Sequence, residues 1–388
     1  MVNTAAEWVF WGSLGLIVYS FAGYPVLVML MGLVWPKPRR DASLEPSVSI
    51  QIAAYNESGS IEKKVRDTLD LDYPPEKAEV VVVSDGSSDG TDEIMRRICE
   101  TEPRVRFFRL GRGGKTAAQN YGAAQCRNEL IVFSDATSVY EKDALRKLVS
   151  WFAGGDVAAV SGICRFFDPA RGQSPTGLPR SIYGDLEQAM RFYQGCVRTA
   201  TACSGPMYAV RRESYVPLDP HAVSDMMEPI EIVRTGKRVL YALDAVSWEE
   251  TTKNIGDEFK MRVRVTTQGI YGVIDALRKL PPWRYPWIAF QLFSHKFLRY
   301  FVPVPLALLL LSNIAMVATG GPWWASWLLA GQASFYGATL LALVLPPHVR
   351  PSLLTLPLYF CTLNAAIVVS FREALRGNRF ATWETIRD

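Results

Sequence analysis

Residues 80–91 read Val-Val-Val-Val-Ser-Asp-Gly-Ser-Ser-Asp-Gly-Thr, an unbroken β-branched run that stops in a turn-forming segment. Four consecutive valines favour a strand buried on both faces, and the Asp, Gly and Ser that follow favour a turn opening a helix. The same device occurs twice more. Residues 48–53 lead into Ala53-Ala54-Tyr55-Asn56-Glu57, and residues 130–133 lead into Phe133-Ser134-Asp135-Ala136-Thr137. Helical patterns at 61–71, 91–100, 116–125 and 142–152 alternate with these runs, which predicts an α/β fold with a parallel sheet covered by helices on both faces. Ligands of such sheets bind beyond the carboxyl ends of the strands, where all three segments fall.

The rest of the chain is of a different kind. Its 388 residues are 49% hydrophobic and 21% charged, too apolar for an ordinary soluble enzyme and too charged to lie wholly in a bilayer. A net charge of +4 gives no reason to expect a nucleic-acid partner and leaves anionic headgroups or a pyrophosphate open. The six cysteines form no CxxC pair and the three histidines are far apart, so a zinc site or a histidine-based triad lacks material. A general base is therefore expected to be a carboxylate.

Residues 8–35 carry no charge and are long enough to cross a bilayer, and Lys37, Arg39 and Arg40 follow directly. Those charges predict a cytosolic side for the next segment. The expected organisation is a membrane helix with a basic flank over 1–40, a catalytic domain over 41–280, an interfacial amphipathic helix over 281–301, about three membrane helices over 302–372 and a basic tail over 373–388. One crossing before the domain and three after it would put Arg372, Arg376, Arg379 and Arg387 on the outer side, against the positive-inside rule. Either one apolar stretch does not cross, or the interfacial region hides a crossing.

The motifs each have a bland and a chemical reading. Asp85 and its neighbours fit a helix cap as well as a contact to a nucleobase or ribose. Gly111-Arg112-Gly113-Gly114-Lys115-Thr116 suggests a phosphate cradle, but a P-loop would need glycine at Arg109. Lys115 is either a diphosphate contact or a solvated lysine, and Asp135 either a ligand group or another cap. Asp225, in Val223-Ser224-Asp225-Met226-Met227, has apolar neighbours that would raise its pKa, or a salt bridge.

Taken together and in this order, these segments resemble the family 2 glycosyltransferases over roughly residues 48–280, the group that includes cellulose, chitin and hyaluronan synthases. The resemblance implies a GT-A (Rossmann-like nucleotide-sugar-binding) fold flanked by transmembrane helices. It assigns Ala53, Tyr55, Glu57 and Asp85 to the nucleoside, Lys115 to the diphosphate and Asp135 to the donor and a divalent cation. Asp225 becomes the base that deprotonates the acceptor, with attack on the anomeric carbon opposite the departing nucleoside diphosphate. Where the family's metal motif has a second aspartate this chain has Thr137, a weaker ligand for Mg²⁺ or Mn²⁺.

The stretch Met261-Arg262-Val263-Arg264-Val265 keeps the arginines of the family's Q(Q/R)xRW element and lacks its Gln and Trp, which speaks against processive polymerisation. Arg262 and Arg264 are expected at the leaving diphosphate, or on a basic helix face. Gly205 matches the floor of the sugar site and Glu187 is a candidate acceptor contact. Residues 168–180 are expected to form a loop over the site, and Trp383 belongs to a family-like tail. The implied function is transfer of a sugar from a nucleotide-sugar, UDP being favoured by family frequency, to a lipid-linked or growing glycan at the bacterial inner membrane. The alternatives are a processive synthase, transfer to a polyprenyl phosphate, and a non-catalytic nucleotide-binding partner of a synthase.

Overall fold

The computed structural model describes residues 2–167, 177–250, 255–346 and 349–379. Its centre is an eight-stranded sheet in the order β3-β2-β1-β4-β7-β6-β8-β5. The strands are β1 (Val48–Ala54), β2 (Ala78–Asp85), β3 (Val105–Leu110), β4 (Leu130–Asp135), β5 (Val139–Tyr140), β6 (Val157–Phe167), β7 (Met207–Arg211) and β8 (Arg238–Glu250). β1 to β4 are mutually parallel, as expected, and β7 runs antiparallel between β4 and β6. The second half is thus a mixed sheet, which the sequence reading did not specify.

The reason these runs fold as central strands is visible in how they divide. Val48, Ile50 and Ile52 of β1, Val80 and Val82 of β2, and Leu130 and Val132 of β4 enter one apolar cluster. The intervening Ala53, Val81, Val83, Ile131 and Phe133 enter the cluster on the opposite face. In β2 and β4 both faces are apolar, as a doubly covered parallel strand needs, whereas β1 also buries Ser49 and Gln51 on its second face.

The helices in chain order are α1 (Val2–Val18), α2 (Tyr24–Val34), α3 (Ile61–Leu69), α4 (Thr91–Thr101), α5 (Lys115–Gln125), α6 (Ala144–Val149), α7 (Gly177–Val197), α8 (Ser224–Arg234), α9 (Ile255–Lys279), α10 (Pro286–Gln291), α11 (Leu298–Phe301), α12 (Pro303–Ala318), α13 (Trp323–Val344) and α14 (Ser352–Leu375). Helices expected at 61–71, 91–100 and 116–125 appear within two residues of their expected ends, while the fourth is a short α6 followed by a 3₁₀ turn. The expected loop over 168–180 is corrected at its end, because Gly177–Arg180 begin α7; residues 168–176 lie outside the described residues. Trp383 also lies outside them.

Among the described residues three helices are long and apolar enough to cross a membrane: Asn3–Val34, Trp323–Val344 and Leu353–Leu375. A π-helical stretch, Tyr19–Gly23, joins α1 to α2 without ending the first of them. Pro286–Phe301 and Pro303–Ala318 pass the same test only as a pair, bent by 54°. Side chains such as Trp8, Val34, Val344 and Leu353 are more than three-quarters exposed, an apolar surface suited to lipid. Asn3 and Thr319 share a hydrogen bond, so α1 begins where α12 ends. At the other end of the bundle α14 packs on α9: the Tyr271 hydroxyl donates to Ala374 O at 2.8 Å, and Arg379 lies 4.8 Å over the Tyr271 ring.

Where β6 and β8 pair, the register slips between Ser161 and Ile163, and Gly162 fills the irregularity. A Cβ there would stand 2.2 Å from Met207 Cε and 2.8 Å from the backbone oxygen of Ala245. Gly162→Ala is expected to destabilise the domain by about 1–3 kcal/mol through overpacking, read as a lower thermal midpoint of the detergent-solubilised chain. An unchanged midpoint would mean the bulge yields freely.

Candidate active site

The parallel half of the sheet puts its informative residues along one edge. Ala53 pairs with Asp135 across β1 and β4, and Ala54 with Ser84 across β1 and β2. Asp85, the last residue of β2, is wholly buried. Its carboxylate accepts from Gly113 N at 2.7 Å and Gly114 N at 3.0 Å and pairs with the Arg112 guanidinium. Arg112 in turn lies 3.3 Å over the Tyr55 ring. Asp85 therefore clamps the glycine-rich loop against β2. Gly86 makes room for this approach: its φ is +73°, and a Cβ on it would stand 2.9 Å from Arg112 N.

The bland reading holds for the second aspartate of the same segment. Asp89 accepts from the Thr91 hydroxyl at 2.6 Å, from Thr91 N at 3.1 Å and from Ser58 N at 2.9 Å. Partial burial opposes its charge, and these bonds outweigh it, holding the carboxyl below its usual range. Glu57, expected near the nucleoside, sends its backbone N–H to the Thr91 hydroxyl at 2.9 Å and accepts from Ser60 Oγ at 2.6 Å. Asn56 stands between them at φ +52°, a left-handed conformation held by bonds to Ser87 and Ser88.

Four expected site residues meet at one point. A Cβ built on Gly205 would lie 3.2 Å from Asp225 Oδ2, 3.5 Å from Lys115 Nζ and 3.8 Å from Asp135 Oδ2. Lys115, the first residue of α5, forms an ion pair with Asp135 at the end of β4. Burial opposes the Lys115 charge, and the charge and hydrogen bond of Asp135, with Asp225 behind them, outweigh it and raise its pKa. For Asp225 the balance is reversed. Burial raises its pKa above 3.8 despite Lys115 and Lys296, and Asp135 adds to the rise. Asp225 lies in the first turn of α8, and its carbonyl accepts from Cys203 N at 2.6 Å, which ties the helix start to the Gly205 loop.

The two arginines of α9 separate. Residues two apart on a helix point about 200° apart, so they cannot serve one site equally. Arg262 turns to Glu258 at 2.8 Å and to the Tyr359 hydroxyl of α14 at 3.1 Å. Arg264 makes no hydrogen bond or ion pair with a described residue, and it feels the charge of Asp135. Of the two, Arg264 is the one that feels the charge of the Asp135 corner. Glu187 is likewise engaged, by Arg191, His295 and Arg299.

Sequence reasoning missed three residues. Arg112 was read only as part of a glycine loop. Lys64 of α3 is 5% exposed and donates to Ser138 O at 2.6 Å and Ser138 Oγ at 3.1 Å, while that hydroxyl bonds Asp135 O at 2.9 Å. It fixes the turn carrying Asp135 from beneath, and burial brings its pKa down to about 7. Glu228, one turn after Asp225, hydrogen-bonds Tyr208 at 3.2 Å, and burial pushes its carboxyl well above the usual range. None of these contacts has a local signal, because the partners come from distant segments.

Among the described residues no group of three or more His, Cys, Asp or Glu side chains is placed to hold a metal ion. Asp135 is a single carboxylate with Thr137 two residues on. That set fits an ion of the Mg²⁺ type, which is commonly held by one or two carboxylates and the substrate's phosphates, and does not fit a protein-only cage.

A clamped glycine loop, a buried aspartate and a lysine paired with a second carboxylate thus lie at the carboxyl edge of a parallel sheet, where the ligands of such sheets bind. Residues 49–215 match the family model described as "Glycosyl transferase family 2", and the chain carries a family 2 glycosyltransferase domain. It is 35% identical over 118 residues to the beta-monoglucosyldiacylglycerol synthase of Synechocystis sp., covering 30% of this chain and 25% of that protein. It is 25% identical over 246 residues to the poly-beta-1,6-N-acetyl-D-glucosamine synthase of Staphylococcus aureus, covering 59% of this chain and 56% of that one. The chain thus spans between a quarter and just over half the length of these relatives. Among solved structures it resembles the mannosyltransferase PcManGT from Pyrobaculum calidifontis, in complex with GDP-Man and Mn²⁺, with a TM-score of 0.73, 24% identity and coverage of 97% of this chain and 100% of that one. The fold is GT-A.

Because the folded pKa of Asp225 lies above 3.8, its ionisation opposes folding: the associated stability is present below pH 3.8 and is lost as pH rises through the folded value. Asp225→Asn is therefore expected to abolish sugar transfer while raising the thermal midpoint at neutral pH. Gly205→Ala, which crowds the same carboxylate, is expected to lower transfer at an unchanged midpoint. A loss of stability in Asp225→Asn would show that this carboxylate serves the fold.

Proposed function

We propose that the chain is an inverting glycosyltransferase that moves a sugar from a nucleotide-sugar, UDP-linked by family frequency, to a lipid-linked or growing glycan at a membrane. The observation that carries this is the convergence of Lys115, Asp135 and Asp225 on Gly205. A GT-A fold, and relatives named as lipid and polysaccharide synthases, support it.

The nucleoside lies against Tyr55 and the loop that Asp85 clamps, and the diphosphate meets Lys115 and Arg264. An Mg²⁺ or Mn²⁺ ion, held by Asp135 and the diphosphate, would supply further neutralisation of the leaving group. Asp225 is buried enough to hold a proton better than an ordinary aspartate and is placed to take one from an acceptor hydroxyl. As that proton leaves, the acceptor oxygen bonds the anomeric carbon and the bond to the phosphate oxygen breaks on the opposite face. Lys115 and Arg264 stabilise the charge that develops on the leaving diphosphate.

The domain sits at the inner face of a bacterial cell membrane. The contact of α14 with α9 supports a basic tail on the domain's side, which satisfies the positive-inside rule. The poorly preserved Q(Q/R)xRW element favours addition of one sugar or few over processive synthesis.

Purified chain assayed against UDP- and GDP-sugars, with Mg²⁺, Mn²⁺ or EDTA, is expected to turn over one donor with inverted product stereochemistry. The acid limb of kcat/KM is expected above pH 3.8, the ordinary aspartate value, because the base must be ionised and burial raises its pKa. Absence of turnover with every donor, membrane acceptors being supplied, would favour a non-catalytic nucleotide-binding role.

A further inference from the structure

Behind Asp225, where the domain meets the first membrane helix, lies a second charged cluster that the transfer chemistry does not use. Glu187 of α7 accepts from Arg191 at 2.9 Å and from His295 Nε2 at 2.7 Å through one oxygen, and pairs with Arg299 through the other. His295 is buried, at 1% exposed, and the others are largely shielded: Glu187 is 14% exposed, Arg191 18% and Arg299 11%. The cluster reaches into the membrane helix. Arg299 Nε donates to Ser20 O at 3.5 Å, Gln194 donates to the Tyr24 hydroxyl at 2.8 Å, and Tyr19 and Ser294 hydroxyls are 2.9 Å apart.

Lys296 stands in the same cluster without a partner. It makes no hydrogen bond or ion pair with any described residue, yet its charge acts on Arg191, Arg299, Glu187 and Asp225. Both oxygens of Glu187 are already taken, and Asp225 belongs to the transfer site. Among the described residues, three cations, Arg191, Lys296 and Arg299, thus act on two carboxylates, the fully engaged Glu187 and the Asp225 of the transfer site. Charges removed from water are normally matched by a counter-charge, so this surplus leaves a place for an anion. The cluster acts on Asp225 on one side and bonds Ser20 and Tyr24 of the first apolar helix on the other.

We propose that Lys296, with Arg191 and Arg299, forms a subsite for the phosphoryl group of a lipid acceptor, held so that the acceptor's hydroxyl reaches Asp225. Glu187 is then a positioning residue that aligns Arg191 and Arg299, in place of the direct acceptor contact expected from the sequence. This rests on the transferase reading and specifies its acceptor side.

The test is a binding measurement, so that it does not depend on turnover. Full-length protein in phosphatidylcholine nanodiscs is titrated, by native mass spectrometry, with undecaprenyl phosphate, undecaprenol and inorganic phosphate. A hydrogen-bonded charge pair at this site predicts about tenfold tighter binding of the phosphorylated lipid than of the alcohol. Lys296→Gln is expected to bring the two lipids to near equality and Lys296→Arg to keep the preference, with UDP and GDP binding measured on the same samples to verify the fold. Equal binding of the two lipids by the wild type, or a preference untouched in Lys296→Gln, would overturn the proposal. Inorganic phosphate binding as tightly as the phosphorylated lipid would overturn the lipid source. Failure of the transferase reading itself appears separately, as absent donor turnover.

Discussion

The ion pair between Lys115 and Asp135, beside a second carboxylate that it only half compensates, is the constraint around which this domain is arranged. Removing two carboxylates from water is unfavourable unless a cation accompanies them. Lys115 is that cation, and it comes from the first residue of α5, so the helix start, the end of β4 and the start of α8 must all meet at Gly205. Asp135 receives most of the compensation. Asp225 receives less and is left with a raised pKa, the property that the proposed function asks of a base.

Supporting contacts keep that corner in place from several directions. Lys64 anchors the turn after Asp135 through Ser138, and the Tyr140 hydroxyl bonds Pro206 O at 3.0 Å, next to Gly205. Asp85 does the same for the glycine loop that delivers Lys115. Buried polar groups that find partners in this way rigidify a site at little net cost, whereas losing one partner would leave the other stranded. On the membrane side, Glu187 performs the equivalent task for two arginines.

The parallel half of the fold was legible because β2 and β4 are apolar on both faces, β1 on one, and all three lead into turn residues, the pattern of buried strands in a covered sheet. The place of Asp85 and Asp135 at one edge was legible for the same reason, since each ends its strand. What was not legible depends on distant pairing. Lys64 and Ser138 are 74 residues apart, and nothing near Lys64 announces a buried lysine. The antiparallel insertion of β7 between β4 and β6 is set by sheet closure and has no local signature. Arg262 and Arg264 are a different case: their spacing on a helix already excluded a shared direction, and α14 is what Arg262 meets. The long apolar helices were legible from composition, while the contact of α14 with α9 was not.

The most direct measurement is the structure of the full chain with a nucleoside diphosphate and Mn²⁺ bound. The diphosphate is predicted to lie against Lys115 and Arg264, with Asp135 facing the ion, the nucleoside against Tyr55, and Asp225 left free toward the membrane side. A diphosphate bound elsewhere, or Asp225 engaged by the ion, would contradict the assignment of Asp225 as the base.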